Sequence, residues 1–448
     1  MRVGVVGAGA AGLVTSWLLQ DEHEVTVLEA SPHLGGHAHT RHLRVAGQNV
    51  PCETGLRFIF DHNYPVLHAL FRSLGLRPGW RPVDVTLVWP RLQRSLVLPP
   101  RTAAHWARLA RPENLGVALG FHAHMVRLRR MGPGDAARTI GAWGAASALT
   151  ARHFETVFLP FLAASWGAPV EEMRGFPAAG VGKVLQRPAG PHGIFEFPGG
   201  VSEYIDALCA AQPGVTLRPS SPVVSARRQD GGWRVTLASG EVAAFDQLVF
   251  ATAAWDAAKI LADEPAAAGW VDTLRRVRHF DTTIAFHEDE TFMPPDPGDW
   301  STLNQFHDPE RPWTTEWAGQ SRGVGIFRTW VPAHRPPPRR EHHRVTFKHL
   351  VLTLEQADIQ RALAAAQGDA GVSVVGLYVM DVDNHESAVM SAIPVGRRLS
   401  PRSPTLARLD AELAAGGTAS PATPHGVPQP VRLPGRWSVP QPHVPWST

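Results

Sequence analysis

At 448 residues the chain is longer than one hydrophobic core usually serves, so two interleaved domains are expected. A hydrophobic fraction of 44%, the absence of any run of eighteen apolar residues and an opening segment that reads as a strand argue against a membrane-spanning helix or a signal peptide. The expectation is a cytoplasmic protein, with room left for a peripheral membrane contact. A net charge of +3, with arginines scattered among acids and lysine only at Lys183, Lys259 and Lys348, is not a nucleic-acid footprint, and Cys52 and Cys209 imply neither a disulfide scaffold nor a zinc site.

The chain opens on a Val-rich run, Val3 to Val6, of the kind that forms a buried parallel strand, and this leads directly into Gly7-Ala8-Gly9-Ala10-Ala11-Gly12. Leu13, Trp17, Leu18 and Leu19 then recur at helical spacing, and a second apolar strand, Val25 to Leu28, ends at Glu29. Strand, glycine turn, helix and strand make a dinucleotide-binding unit. Gly7 is expected to make the tight turn, Gly9 to let the backbone approach a pyrophosphate, and Gly12 to let the helix pack closely, with the anion at the positive helix end. Glu29 follows Gly7 by 22 residues, where a carboxylate accepts both hydroxyls of an adenosine ribose. A glycine-rich turn that binds nothing is the bland alternative.

The next stretch, Glu29-Ala30-Ser31-Pro32-His33-Leu34-Gly35-Gly36-His37, adds a glycine pair that a simple nicotinamide-binding unit does not need. With the pattern GxGxxGLxxAxxL, in which Ser16 replaces the alanine, and with the acid and the pair, the chain resembles the flavin amine oxidase and carotenoid desaturase superfamily. Within it, one subgroup of FAD proteins reads Gly-Gly-His. The resemblance implies FAD as cofactor, held by Gly7, Ala8, Gly9, Ala10, Ala11, Gly12, Glu29, Ala30, Gly35, Gly36 and His37, the last standing where the family usually has arginine. It also places Thr54, Gly55 and Leu56 beneath the flavin ring, assigns backbone contacts with adenine to Val223 or Val224, and puts Ala251 at a small-residue turn near the pyrophosphate. The closing motif of the family is a strand, a glycine and a helix whose N-terminus points at the flavin pyrimidine. Here that implies Gly376, followed by Leu377 in place of the usual acid, and then Glu386, Ser387 and Ala388.

Between these anchors, Pro65 starts a helix carrying Val66, Leu67, Leu70, Phe71 and Leu74, and Val85 to Trp89 pairs with Ser95 to Leu98 over a turn. Helical spacing resumes over residues 104–109, 115–128 and 154–166, where the apolar phrase from Phe158 to Gly167 is either core or the wall of a substrate tunnel. Strands are expected over residues 215–218, 223–228, 233–237, 247–251, 282–286, 323–330 and 372–375. Trp300, Trp313, Trp317 and Trp330 offer either an aromatic pocket or structural packing. Asp383-Asn384-His385-Glu386 is expected to precede a short helix that carries Val389 and Ile393 and stops at Pro394.

The resulting fold class is α/β: a Rossmann-type FAD-binding domain interleaved with a mixed-sheet substrate domain and a helical cap. The expected division is residues 1–79, 191–262 and 351–412 for the FAD-binding domain, 80–190 for the cap and substrate region, and 263–350 for the substrate-domain sheet. Residues 413–448 read as a Pro-rich tail, disordered or draped on the surface, with Trp437 and Trp446 as anchors. No His/Asp/Glu set falls at a metal-ligand spacing, and no second nucleotide-binding unit is present for NADPH. The expected reaction is hydride abstraction from a C–H bond of a hydrophobic or lipid substrate by an oxidase, dehydrogenase or desaturase. The alternatives are a redox-neutral double-bond isomerase, an amine oxidase, and a flavin-binding protein without turnover. His385 is the candidate acid or base near the ring, or else a loop-capping hydrogen bond.

Overall fold

The computed structural model describes residues 1–60, 63–147, 150–185, 193–308, 311–332, 334–380 and 384–416, together with two short strands, Val431–Leu433 and Trp437–Val439. Five short apolar segments form a parallel sheet: β1 (Arg2–Val6), β2 (Glu24–Leu28), β3 (Val215–Arg218), β4 (Gln247–Phe250) and β5 (Val372–Val374). Their spatial order is β3-β2-β1-β4-β5. Val3, Val5, Val27, Leu248, Val249, Val372 and Val374 are all buried, as a parallel sheet covered on both faces requires. The order reverses between β1 and β4, so a crevice opens beyond their C-terminal ends, where sheets of this kind bind ligands.

Four helices matter for that crevice or for the cap: α1 (Ala10–Leu19), α2 (Pro65–Ser73), α3 (Pro112–Arg129) and α4 (His385–Leu399). Every residue of α1 is buried, because the helix lies between the sheet and α4. A Cβ on Gly396 of α4 would stand 3.0 Å from Leu18 Cδ1 and 3.2 Å from Leu18 Cβ, so glycine sets the closeness of that crossing. Pro394 does not stop α4 as its sequence suggests; the helix continues five residues further, to Leu399. The lost backbone hydrogen bond costs about 3 kcal/mol, which is offset by burying Val389, Ala392, Ile393 and Val395 against the apolar cluster that also holds α1.

The second sheet has seven strands in the order Glu341–Leu350, His279–His287, Phe327–Trp330, Trp313–Glu316, Leu303–Phe306, Val85–Trp89 and Arg94–Leu98. It is mixed, since Leu303–Phe306 runs parallel to Val85–Trp89 while its other neighbours are antiparallel. The hairpin of residues 85–98, which falls by sequence in the cap region, therefore completes the substrate-domain sheet. The helical part of the cap lies on that sheet through Thr314 Oγ1, which donates to the Ala164 carbonyl at 2.8 Å, Gln305 Nε2, which donates to Ser165 Oγ at 2.8 Å, and Thr282 Oγ1, which donates to the Gly167 carbonyl at 3.0 Å.

The apolar phrase at Phe158 is core: Phe158, Leu159, Leu162 and Ala163 are fully buried. Trp300 and Trp317 are core as well, packed edge-to-face and with their indole N–H groups donated to the carbonyls of Pro294 and Val324, so they do not line an aromatic pocket. The strand expected from Gly323 begins only at Phe327, because Gly323, at φ +66°, closes a turn in which Val324 N–H returns to the Gly319 carbonyl. In the tail, Trp437 pairs with Leu433 in a two-stranded hairpin, and Trp446 lies outside the described residues. No helix among the described residues is long and apolar enough to cross a membrane.

Candidate cofactor and substrate site

The glycine turn between β1 and α1 separates into three tasks. Gly7 has φ +102°, and a Cβ there would stand 2.7 Å from the Ala251 carbonyl oxygen at the end of β4. A Cβ on Gly12 would run into the Gly7 carbonyl oxygen. Both glycines are therefore demanded by the protein's own packing. Gly9 is different: its φ of −69° suits any residue, and a Cβ there would meet nothing within 4 Å. The space beside Gly9 lies at the N-terminus of α1, which has no side-chain cap, so its first-turn amides remain for a ligand.

The glycine pair closes this cradle. Gly35 donates its N–H to the Ala8 carbonyl at 2.8 Å, and Gly36, at φ +58°, approaches so closely that a Cβ would be 3.0 Å from the Gly9 Cα. An open cradle of backbone amides bounded by glycines fits a dinucleotide pyrophosphate. Ala10 and Ala11 continue α1 as buried residues. At the end of β2, Glu29 accepts from Ala8 N–H and Ser31 N–H, each at 2.7 Å, which orients the carboxylate and leaves lone pairs for ribose hydroxyls. Ala30 beside it in sequence is exposed. The ladder slips between Val223 and Ser225, leaving Val224 out of the pairing and 49% exposed.

The second half of the crevice comes from β5 and α4. Gly376, at φ +133°, donates to Ser391 Oγ at 2.8 Å and lies 4.0 Å, at its Cβ position, from the Thr252 carbonyl beyond Ala251. The start of α4 is pinned in three ways. Asn384 caps it by accepting from Ser387 N–H at 3.0 Å, and both Ser387 and the half-buried Ala388 follow in the first turn. Glu386 accepts from Val66 N–H at 2.6 Å and Leu67 N–H at 2.9 Å, so its carboxylate occupies the N-terminus of α2. Burial pushes Glu386 up to about 7, against those two hydrogen bonds. His385 Nε2 hydrogen-bonds the hydroxyl of the buried Tyr204. Burial, with the charge of nearby His37, lowers the imidazole to about 3, so His385 is neutral at ordinary pH.

Thr54, Gly55 and Leu56 are held against residues 37–39: Leu56 N–H donates to the His37 carbonyl at 2.9 Å, and Thr54 N–H and Oγ1 donate to the His39 carbonyl at 3.0 and 2.8 Å. A Cβ on Gly55 would strike the His37 carbonyl. His37 also sets its ring edge-on to Phe347 at 4.5 Å. From the substrate-domain sheet, Arg328 Nη2 reaches back to the Gly55 carbonyl at 3.2 Å and the Thr54 carbonyl at 3.4 Å.

Arg328 belongs to a buried ionic network that sequence reasoning did not reveal, because its members are scattered along the chain. Glu316 pairs with Arg57 and, at 3.6 Å, with Arg328; Glu196 pairs with Arg57 and, at 2.6 Å, with Arg81. Glu53 accepts from Thr40 Oγ1 at 2.8 Å and Val201 N–H at 2.9 Å. Burial raises Glu53 to about 7 and lowers Arg328 to about 10. Burial works in the raising direction on Glu196 too, but Arg57 and Arg81 hold it at about 2.

The sequence model of the flavin containing amine oxidoreductases matches residues 10–305 of the chain. No curated protein sequence matches it. Among solved structures, the CLA-producing fatty acid isomerase from P. acnes is similar, at 14% identity and a TM-score of 0.67 over 89% of this chain and 98% of that one. An oxidoreductase from Methanosarcina mazei follows at 16% identity and a TM-score of 0.59, over 88% and 99% of the two chains. Putrescine oxidase bound to putrescine is 13% identical with a TM-score of 0.62, over 90% and 100%. Identities this low speak for a shared fold.

Proposed function

Because the chain belongs to the flavin containing amine oxidoreductase family, and is thus an FAD-dependent oxidoreductase, we propose that it abstracts a hydride from a C–H bond of a largely apolar substrate, a lipid in preference to an amine. The flavin, when bound, supplies the hydride-accepting centre. In this reading the chain's own residues do the rest. Gly9, Gly35, Gly36 and the start of α1 receive the pyrophosphate, Glu29 the ribose, and Val223 and Val224 the adenine. Thr54 to Leu56 support the ring from one side, and Gly376, Ser387 and Ala388 approach it from α4.

The observation that carries the preference for an apolar substrate is the commitment of the carboxylates. Glu53, Glu196, Glu316 and Glu386 are each engaged by arginine, hydroxyl or backbone N–H, so none of these four is left to receive a substrate ammonium. His385 and Tyr204 form a neutral pair, suited to orienting a substrate or holding a proton at Nε2 or the phenolic oxygen, and not to pairing with a charge. The likeness to a fatty acid isomerase supports a second reading, a redox-neutral shift of a double bond in which the hydride is returned.

Anaerobic mixing of the FAD-loaded protein with fatty acids, polyenes and amines tests both. Flavin bleaching by lipids and not by simple amines is the expected result. Bleaching by amines alone overturns the lipid preference, and product formed without net consumption of an electron acceptor selects the isomerase.

A further inference from the structure

Beside the cap lies an open cavity of about 600 Å³, bounded by the hairpin of residues 85–98, the first half of α3 and residues 152–157. It lies away from the Thr54 and Gly55 carbonyls. Glu316 sits at one end of its strand, whereas Trp313, at the other end, pairs with Phe306, which pairs in turn with Val88. With strands ~4.8 Å apart and ~3.3 Å per residue along them, the cavity stands on the order of 15 Å from Glu316.

Two independent features suit this cavity to a ligand. His307 is 3% exposed, and its contact with the Val157 backbone engages one ring nitrogen at most, so at least one is without a hydrogen-bond partner among the described residues. Buried polar groups are nearly always partnered, so this one is available. Its ring stacks on Trp89 at 5.0 Å, and the guanidinium of Arg94 lies over the same indole at 4.5 Å with its Nε buried and unpartnered among the described residues.

The second feature is a pair of glycines inside α3, where glycine is unfavourable to the helix. Gly120 is accounted for, because the His153 ring occupies the place its side chain would take. Gly116 is exposed at the rim of the cavity, and a Cβ there meets nothing within 4 Å. The glycine leaves the mouth of the cavity open.

Charge and apolarity define the class of ligand. Arg91 is paired with Asp308 at 3.3 Å, which leaves Arg94 and Arg152 facing the single acid Glu113. The surroundings are strongly basic, since residues 91–130 contain eight arginines and one acid while the whole chain carries only +3. The rest of the lining sets His153 and Thr156 beside apolar Trp89, Val117 and Val157, which are buried, and Leu92, which is exposed.

We propose that this cavity binds an anionic amphiphile, with a carboxylate or phosphate head set between Arg94 and His307 and an apolar tail along Trp89, Val117 and Val157. A free fatty carboxylate and a bilayer lipid share that chemistry. The site is separate from the flavin centre and does not depend on the reaction proposed above.

Calorimetric titration of FAD-loaded protein with decanoate tests it, with acetate and decyltrimethylammonium as controls and phosphatidylglycerol vesicles as the lipid arm. Decanoate is expected to bind at least tenfold more tightly than either control. Gly116→Phe, which plugs the cavity, and Arg94→Gln, which removes the charge, should each weaken decanoate at least tenfold with the melting temperature and flavin absorbance unchanged. Gly116→Ala should bind as the wild type does. Vesicle binding that Gly116→Phe abolishes would also support the site and identify a bilayer lipid as its source. Decanoate binding unchanged in both Gly116→Phe and Arg94→Gln, or no binding of decanoate or vesicles by the wild type, overturns the proposal. Decanoate held at the flavin centre would instead persist in Gly116→Phe and perturb the flavin spectrum, so the two sites are read apart.

Discussion

Gly9 and Gly12 occupy the same six-residue turn but answer to different forces. Gly12 is required by the Gly7 carbonyl, whereas nothing in the protein opposes a side chain on Gly9. Gly9→Val should therefore leave the thermal midpoint of the FAD-free protein within a few degrees of wild type and abolish FAD binding. Gly12→Ala should lower the midpoint and the yield of folded protein before binding is ever tested. Thermal melts with and without FAD check both; a Gly9→Val protein that binds FAD normally would show that the pyrophosphate does not lie there. His385 illustrates the same contrast between type and context. Its residue type offers an acid or base, but burial and the Tyr204 hydroxyl leave a neutral hydrogen-bonding group.

At the scale of elements, α1 and α4 act as a unit, because the N-terminus of one and the first turn of the other both border the crevice. Their crossing depends on Gly396, where added atoms would press on Leu18. Gly396→Val is expected to cost about 1 to 3 kcal/mol through overpacking and to weaken FAD binding by displacing α4, although residue 396 lies about three turns from its start. Denaturant unfolding and an FAD titration measure the two effects. Loss of stability with FAD affinity intact would mean that α4 yields at its C-terminal half alone.

Across the whole molecule, the seven-stranded sheet is tied to the segment of residues 54–57 through buried charge. Glu316, fully buried, holds Arg57 from the cofactor side and Arg328 from its own sheet. Glu316→Leu strands Arg328 as a buried cation and should cost about 3 to 5 kcal/mol in denaturant unfolding; a loss below about 1 kcal/mol would show that water screens the network. Acid stability follows from the histidines. His124 and His287 are lowered to about 4 and His307 and His385 to about 3, in each case chiefly by burial. Below the ordinary imidazole value the unfolded chain takes up protons that these folded sites refuse, so their contribution is complete above about 6.5 and is lost as pH falls toward 4. Glu53 and Glu386, raised to about 7, act in the opposite sense, contributing fully below about 4.5 and losing that contribution as pH rises toward 7. With His39 also lowered to about 4, chiefly by burial, five groups outweigh two, and the melting temperature is expected to fall between pH 7 and pH 5. A flat or rising profile would contradict the balance.

Local sequence accounts for β1, the glycine turn, α1 and β2, the hairpin of residues 85–98 and the demand on Gly12, which all follow from neighbours within a few residues, whereas Gly7 answers also to the distant Ala251 carbonyl. Periodicity states that a face is buried, and glycine states that space is short or a turn is tight. Neither states what lies on the other side. It takes the folded chain to bring Glu386 to the amides of Val66 and Leu67, His385 to Tyr204 and Arg57 between Glu196 and Glu316, and to carry α4 through Pro394. In each case the partner is far away in sequence, and the free energy of burial against it outweighs the local preference that the sequence displays.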